Sequence, residues 1–123
     1  MKSDITKQTE ETMAHHVQTM MSGDLEAIVQ NFADDATIFT AERTFQGHDQ
    51  IRIFFEEGMQ SLPEGYMAAF EEICRDIHGE IVYLVYKVEP FVALGTDTWV
   101  FRNGKIIAQT YAAYWRTQNR DGE

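Results

Sequence analysis

Hydrophobic residues near the start of the chain recur with a helical period in two successive blocks. The first block spaces them at i, i+4, i+7 and i+8, and the second repeats such a stripe after a short polar break. The two sets are Met13, Val17, Met20 and Met21, followed by Leu25, Ile28, Val29 and Phe32. Gly23 can close the first helix as a left-handed C-cap and Asp24 can N-cap the second, so the pattern predicts a helical hairpin.

A change of period follows this hairpin. Ala36, Ile38 and Thr40 alternate with other side chains in the two-residue rhythm of a strand. Asp34 and Asp35 stand between the two patterns, and aspartate suits turns because its carboxylate bonds nearby backbone amides. The pair is therefore predicted to be structural, at a junction where the chain turns, and not catalytic.

The middle of the chain predicts a third helix and then becomes ambiguous. The helix follows Gly47 and ends at Pro63-Glu64-Gly65. Its apolar face consists of Ile51, Phe54, Phe55 and Leu62. Residues 66–78 also carry apolar residues at helical spacing, which on its own favours one more helix.

Strands dominate the rest of the chain. Residues 81–88 are β-branched, aromatic and apolar on both faces, as in a central strand. Residues 96–101 and 106–115 follow as two further strands, and Asn103-Gly104 between them is typical of a two-residue hairpin turn. This order predicts an α+β fold with helices packed on one face of a curved sheet. The polar ends, residues 1–7 and 116–123, are predicted to be loose.

Length and composition narrow the class of protein. The 123 residues suit a single domain, 1–123, with a core at about residues 8–116. The longest apolar run, residues 81–86, is far shorter than the roughly 20 residues of a membrane span, and no apolar signal segment opens the chain. A cytoplasmic protein without a membrane partner is therefore expected. The formal charge of −10 disfavours nucleic acid as a partner, because phosphate backbones would be repelled.

Three stretches carry a resemblance to a known family. They are GDLEAIVQNFADDATIF at residues 23–39, FQGHDQIRIFF at 45–55 and GTDTWVFRNGKI at 95–106. Together with the order of elements, they resemble the nuclear-transport-factor-2-like superfamily, in particular its SnoaL-like and ketosteroid-isomerase-like members. The resemblance runs from about Met13 to Trp115 and implies a cystatin-like cone. In such a cone a curved antiparallel sheet wraps around helices and leaves an internal pocket, and residues 66–78 form its first long strand.

The catalytic positions of ketosteroid isomerases are only partly matched. The resemblance places the family's base aspartate on Thr40, which cannot act as a general base at neutral pH. It places the family's oxyanion tyrosine on His16, its protonated oxyanion aspartate on Asp97 and a second pocket tyrosine on Phe55. The standard isomerase mechanism would therefore lack its base.

His16 and Asp97 are the candidate catalytic residues. His16 lies at the edge of the apolar stripe of the first helix, whereas its neighbour His15 points about 100° away. Asp97 shares a strand face with Trp99 and Phe101, where an unpaired carboxylate would be costly. Since each would relieve the other's burial, we expect the pair to lie within direct or one-water hydrogen-bond reach. His16 would be the acid–base group and Asp97 its orienting partner.

Further side chains are expected to line the pocket as ligand-binding residues. The polar ones are Tyr83, Gln109 and Tyr111, and the walls are Thr40, Phe54, Phe55 and Trp99. Lys87 alternates with Tyr83 and could face the pocket or lie at its rim. Adjacent histidines at 15 and 16 cannot face one ion, and the sequence holds no metal-binding or nucleotide-binding motif. Neither a metal nor a cofactor is therefore expected.

Two functions remain open at this point. The first is a cofactor-free enzyme that transfers protons on a small apolar carbonyl or hydroxyl compound, as in isomerisation, cyclisation or dehydration. The second is a non-catalytic domain that binds a small ligand or associates through its sheet. A homodimer through the sheet face is expected, because the helices can cover only one face of strands that are apolar on both. The patch expected there comprises Val82, Leu84, Tyr86, Val100, Ala112 and Tyr114.

Overall fold

The computed structural model describes residues 2–116 and shows an α+β fold. The helices among these residues are α1 (Asp4–Ser22), α2 (Leu25–Val29), α3 (Gly47–Ser61) and α4 (Tyr66–Ala69). The strands are β1 (Phe32–Phe39), β2 (Thr44–Gln46), β3 (Phe70–His78), β4 (Ile81–Val88), β5 (Val92–Arg102) and β6 (Lys105–Trp115). The predicted loose tail beyond residue 116 lies outside the described residues.

One curved, unclosed sheet contains all six of these strands. Its order is β2-β1-β6-β5-β4-β3, so the long hairpins β3–β4 and β5–β6 lie side by side. Neighbouring strands pair antiparallel, except that β6 returns to lie parallel to β1. The predicted α+β class with a curved sheet is confirmed, and this parallel pair is a departure from a wholly antiparallel arrangement.

The first helix begins earlier than its apolar stripe suggests. Ser3 caps α1, since its hydroxyl accepts a hydrogen bond from the backbone N–H of Thr6 at 3.1 Å. Two threonines then tie the helix to the turn between β3 and β4. The Thr6 hydroxyl accepts from the N–H of Gly79 at 2.8 Å, and the Thr9 hydroxyl donates to the Gly79 carbonyl at 2.6 Å. Residues 4–7 are therefore helical, and the loose start predicted there is wrong.

The two predicted turns at Gly23-Asp24 and Asn103-Gly104 are confirmed. Gly23 has a φ of 73° and closes α1, and the Asp24 carboxylate accepts from the N–H of Ala27 at 3.2 Å to cap α2. Asn103 and Gly104 have φ values of 53° and 76°, which matches the right-handed twist of the β5–β6 hairpin.

Asp34 and Asp35 lie inside β1 and not at a turn. The pairing of β1 with β6 shifts register between Phe32 and Thr37, so the aspartates occupy a bulged stretch of the strand. Both are exposed, and the Asp34 carboxylate lies 3.8 Å from Nε2 of His48. The predicted turn is wrong because a bulge interrupts the alternation of apolar side chains in the same way that a turn does.

Residues 70–78 form a strand, as the resemblance implies, and not the helix that local spacing favours. Residues 66–69, which the resemblance also assigned to this strand, form the short helix α4. β3 pairs antiparallel with β4 from Phe70 to His78, with one register shift between Glu72 and Cys74. Its side chains are almost all exposed at the edge of the sheet. Cross-strand backbone hydrogen bonds, and not a buried apolar stripe, therefore set the conformation of this segment.

The buried face of β4 is the opposite of the one expected. Val82, Leu84 and Tyr86 are buried, whereas Tyr83 is 42% exposed and Lys87 shares the outer face with it. The prediction of Tyr83 as a pocket residue is wrong, and so is the placement of the three buried residues in an exposed patch. Alternation identifies two faces but cannot say which is inside when both are apolar.

The hydrophobic core lies between the inner face of the sheet and the helices. On β5 the inner face carries Asp97, Trp99 and Phe101, all buried, so the predicted sharing of one face by these three residues is confirmed. The core residues with the least exposure are Ile28, Val29, Phe32, Ala36, Ile38, Ile51, Val82, Val88, Val92 and Ile106. A polar group on this face is therefore surrounded by apolar side chains.

Candidate functional site

His16 is buried on α1, and its ring is bonded to Asn31, which lies just before β1. Asn31 Nδ2 is 2.9 Å from His16 Nδ1 and 2.6 Å from Thr19 Oγ1. The Thr19 hydroxyl donates its hydrogen to the His16 backbone carbonyl at 2.8 Å. Thr19 Oγ1 must therefore accept from Asn31, which fixes the Asn31 amide with its nitrogen as the donor to both partners.

This network determines which ring nitrogen of His16 carries the hydrogen. Because Nδ1 accepts from Asn31, the hydrogen of the neutral ring is on Nε2. Burial, with a smaller contribution from His15, lowers the pKa of His16 from 6.5 to about 4. The ring packs edge-on against Phe32 and Trp99, with centroid separations of 5.8 Å and 6.2 Å. At neutral pH His16 is therefore a neutral hydrogen-bond donor and not a general base.

Asp97 lies on the inner face of β5 with only 7% of its surface exposed. Its Oδ1 accepts from the hydroxyl of Tyr86 and its Oδ2 from Nε2 of Gln109, both at 2.9 Å. Burial raises the pKa of Asp97 to about 6, and the hydrogen bonds from Tyr86 and Gln109 act in the opposite direction. The carboxyl group is thus poised to exchange a proton near neutral pH, as a general acid or base requires.

Tyr86 reaches Asp97 across the backbone of Gly95. Tyr86 and Gly95 are directly paired between β4 and β5, and a Cβ atom at Gly95 would overlap the Tyr86 ring. Burial, followed by the charge of Asp97, raises the pKa of Tyr86, so its hydroxyl stays protonated as a donor. The glycine therefore positions the tyrosine that holds the carboxylate.

Trp99 and Gln109 contribute two polar atoms that have no hydrogen-bond partner among the described residues. These atoms are Nε1 of Trp99 and Oε1 of Gln109, and both side chains are buried. The two residues are directly opposite each other in the β5–β6 ladder. The unsatisfied acceptor thus belongs to the side chain that bonds Asp97, and the unsatisfied donor belongs to the residue opposite it in the ladder. Each of these atoms costs free energy until it finds a partner.

His16 and Asp97 belong to two separate hydrogen-bond sets. Within residues 2–116 no hydrogen bond or ion pair joins them. Trp99, two positions from Asp97 on β5, packs edge-on to His16. The direct bond expected from the sequence is therefore absent. A bridge through one water stays a prediction.

The remaining predicted lining residues have different positions. Phe55 is buried against Phe32, and Phe54 packs edge-on to Tyr111 with 6.2 Å between ring centroids. The Thr40 hydroxyl is engaged in the β1–β2 turn, where it donates to the Arg43 carbonyl at 2.8 Å and accepts from nearby N–H groups. Asn31 and Tyr86, which fix His16 and Asp97, were not anticipated as site residues. Gly95, inside a strand, was the available signal for Tyr86.

Two cavities can be described among residues 2–116, and neither of these two is lined by the predicted pocket residues. One of about 140 Å³ lies between the start of α1 and the β5–β6 hairpin, and one of about 200 Å³ includes Phe91 and Trp115 in its wall. Tyr66 stacks on both of those rings, and Trp115 Nε1 donates to the Tyr111 hydroxyl at 3.0 Å. Burial, with the Tyr111 and Asp97 charges, raises the pKa of Tyr66 to about 12. The larger cavity is therefore linked by aromatic side chains to the vicinity of Asp97.

Residues 2–116 contain neither a cluster of metal ligands nor a helix that could span a membrane. No three histidine, cysteine, aspartate or glutamate side chains converge there as metal ligands would. No helix in this part of the chain is long and apolar enough to cross a membrane.

Comparison with known proteins decides the family. A family model described as SnoaL-like domain matches residues 13–109, most of the chain. The chain belongs to the SnoaL-like family. This confirms the resemblance drawn from the three sequence stretches. Family membership establishes the fold, but it does not specify a reaction, because similar scaffolds support many functions.

Solved structures that resemble this SnoaL-like chain share its fold at low sequence identity. An NTF-2 like protein of unknown function from Burkholderia xenovorans is 19% identical, with a TM-score of 0.69 over 94% of this chain and 90% of that one. A candidate polyketide cyclase from Sinorhizobium meliloti is 15% identical, with a TM-score of 0.68 over 82% and 93%. A de novo designed protein with a curved β-sheet is 18% identical, with a TM-score of 0.68 over 88% and 86%.

Proposed function

We propose that this SnoaL-like chain binds a small, largely apolar molecule against the inner face of its sheet, with Asp97 as the group that exchanges a proton with it. The observation that carries the proposal is a buried carboxylate held by Tyr86 and Gln109, with a pKa raised to about 6. A carboxyl group with such a pKa is present in both protonation states near neutral pH.

The roles of the two candidate catalytic residues are reversed in this proposal. The neutral ring of His16 has its hydrogen on Nε2 and an Nδ1 that is already bonded to Asn31, so it can donate but has no free lone pair. Asp97 has to supply the base or acid. Proton transfer on a carbonyl or hydroxyl compound, as in isomerisation, cyclisation or dehydration, needs one such group and one donor.

Two further observations support a ligand at this position. The unpartnered atoms belong to Gln109, which bonds Asp97, and to Trp99, two positions from Asp97 on the same strand face. The aromatic side chains around Tyr66 connect this region to the 200 Å³ cavity. The fold is also similar to that of a candidate polyketide cyclase, whose name describes chemistry of the same general class. The apolar walls would suit the carbon skeleton of such a ligand.

The proposal is tested by adding small neutral aromatic probes to ¹⁵N-labelled protein. Toluene, anisole and phenol should shift the side-chain signals of Trp99 and Gln109 and leave the side-chain amide of Asn103, at the hairpin tip, unchanged. Binding should also raise the titration midpoint of the Asp97 ¹³C-carboxyl signal, because an apolar probe desolvates the carboxylate further. If none of the three probes shifts the Trp99 or Gln109 signals, the proposal is wrong.

Catalysis is tested separately from binding. Phenylacetone in D₂O should incorporate deuterium next to its carbonyl faster with the wild-type chain than with Asp97→Asn. The rate should rise with pH through about 6, because the ionised carboxylate is the form that acts as a base. If both proteins give equal exchange rates, the proposed acid–base role of Asp97 is wrong, and the chain is a ligand-binding domain without this activity.

Association through the outer sheet face is a second candidate function, and four exposed apolar residues favour it. They are Ile81, Tyr83, Leu94 and Tyr114, between 42% and 70% exposed. A second copy pairing on this face about a two-fold axis would cover them. Sedimentation at tens of micromolar, roughly where a modest interface is populated, should give a dimer for wild type. Tyr83→Lys should give a monomer. Met21→Lys, on the exposed surface of α1, is the control and should stay a dimer. A monomer for the wild-type chain would contradict association through this face.

A further inference from the structure

The inner face of the sheet presents one unused hydrogen-bond donor directly opposite one unused acceptor. Trp99 Nε1 and Gln109 Oε1 are the buried side-chain nitrogen and oxygen atoms that lack a partner within residues 2–116. Trp99 is 6% exposed and Gln109 is 4% exposed, so bulk water cannot satisfy these atoms freely. Their residues are register partners in an antiparallel ladder, where facing Cβ atoms lie about 4.5–5.5 Å apart. Both side chains therefore leave the inner face of the sheet side by side, and a single group between them can partner both atoms.

The orientation of the Gln109 amide follows from its neighbour. Gln109 Nε2 lies 2.9 Å from Asp97 Oδ2, and an ionised carboxylate can only accept hydrogen bonds. The amide nitrogen must therefore face Asp97, which leaves the carbonyl oxygen as the free end. Trp99 Nε1 can only donate, so the pair requires a partner that accepts from one side and donates to the other.

We propose that Trp99 and Gln109 select ligands that carry a neutral hydroxyl group. This inference rests on the proposed function, since it concerns the same ligand site. A hydroxyl oxygen accepts from the indole N–H, and its hydrogen is donated to the Gln109 carbonyl. An ether or a ketone satisfies only the indole, and a hydrocarbon satisfies neither atom. A ligand with a carboxylate group also leaves Gln109 unsatisfied and is repelled by Asp97. No lysine or arginine is among the buried described residues to offset its charge.

A graded series of probes separates the two contacts. Phenol offers both hydrogen bonds, anisole only the one from Trp99, and toluene none, while all three have one aromatic ring of similar size. A net hydrogen bond corresponds to roughly a 3- to 10-fold change in affinity. Wild-type protein should therefore bind phenol more tightly than anisole and anisole more tightly than toluene, each by about that factor, and benzoate should not bind.

Trp99→Phe tests the assignment of the donor. This change removes the N–H and keeps an aromatic ring against His16, so the anisole-to-toluene difference should disappear while the phenol-to-anisole difference stays. Trp115→Phe is the matched control, because it removes the chain's other indole N–H, which is bonded to Tyr111. Because Trp115 borders the 200 Å³ cavity, its replacement is expected to change the affinities for the three probes together and to leave both differences intact. The acceptor role of Gln109 is tested by varying the ligand and not Gln109, because a substitution of Gln109 would also remove a hydrogen-bond partner of Asp97.

Affinities are measured from ¹H–¹⁵N spectra, in which two tryptophans give two indole signals and each Trp→Phe variant identifies one. Phenol should shift the Trp99 indole signal downfield as its N–H gains an acceptor. If all three probes bind equally, or if Trp99→Phe keeps the anisole-to-toluene difference, the hydroxyl selection is wrong while the binding site stands. If no probe shifts the Trp99 signal, the proposed function fails as well.

Discussion

Two buried groups in this chain have pKa values displaced in opposite directions, and this predicts a specific dependence of stability on pH. Burial raises the pKa of Asp97 from 3.8 to about 6 and lowers the pKa of His16 from 6.5 to about 4. Folded Asp97 holds its proton more tightly than the unfolded chain does. Its contribution to stability is therefore full below pH 3.8 and is lost as the pH rises through 6. His16 behaves conversely: its contribution is full above pH 6.5 and is lost as the pH falls through 4.

The two contributions are similar in size. One pKa unit corresponds to about 1.36 kcal/mol, so each group changes the free energy of unfolding by about 3 kcal/mol across its window. Between pH 7 and pH 4 the wild-type chain gains about this amount from Asp97 and loses about the same amount from His16. The two contributions oppose each other over this range, so the wild-type curve alone would not separate them.

Asp97→Asn removes one of the two contributions and keeps the shape of the side chain. Its carbonyl oxygen can still accept from Tyr86, and the Gln109 amide can rotate to accept from the new amide nitrogen. Relative to wild type, we expect the variant to lose about 3 kcal/mol of stability as the pH falls from 7 to 4. Urea unfolding, followed by tryptophan fluorescence at a series of pH values, measures this difference.

His16→Gln is the control of opposite sign. It can still accept from Asn31 but cannot titrate, so its stability relative to wild type should rise by about 3 kcal/mol over the same pH range. The exposed ion pairs, such as Arg102 with Glu80, are common to all three proteins and cancel in the differences. Curves that stay parallel for Asp97→Asn and wild type would refute the assignment of a displaced pKa to Asp97.

Two further predictions concern Gly95 and the aspartates of β1. Gly95→Ala should destabilise the chain by roughly 1–3 kcal/mol, because the new methyl group displaces the Tyr86 ring. It should also raise the Asp97 titration midpoint, because Asp97 loses the hydrogen bond from Tyr86. An unchanged midpoint would contradict this role of Gly95. Asp34→Ala and Asp35→Ala should each change the free energy of unfolding by less than about 0.5 kcal/mol, since both side chains are exposed. They should also leave phenol binding unchanged, and loss of binding in a stable variant would assign them a function.

Local signals predicted the parts of the fold that local interactions determine. Gly23 and Asp24 end one helix and start the next through their own backbone conformation and side-chain bond, and Asn103-Gly104 forms a hairpin turn for the same reason. Residues 70–78 are different, because their strand exists only through pairing with β4. The family resemblance predicted a strand here, which is correct for residues 70–78, whereas the spacing of apolar residues favoured a helix, which forms only at residues 66–69.

The error in the faces of β4 has a physical cause that the sequence itself could have revealed. Both faces of this strand are apolar, so alternation leaves two equivalent choices. Gly95 breaks the equivalence, since a glycine inside a strand leaves room for a large side chain on the neighbouring strand. Tyr86 occupies that room. Placing Tyr86 opposite Gly95 puts it on the Asp97 face, and Tyr83 and Lys87 then have to point outward.

The position of His16 could be predicted from the sequence, but the location of its proton could not. That location depends on a chain of three bonds in which the Thr19 hydroxyl donates to the His16 carbonyl, Asn31 donates to Thr19, and Asn31 then donates to His16 Nδ1. None of these bonds follows from helical periodicity. Once Nδ1 is an acceptor, a neutral His16 can only donate from Nε2, so in the proposed proton transfer the base has to be Asp97. The proposed acid–base chemistry therefore does not need a direct His16–Asp97 pair.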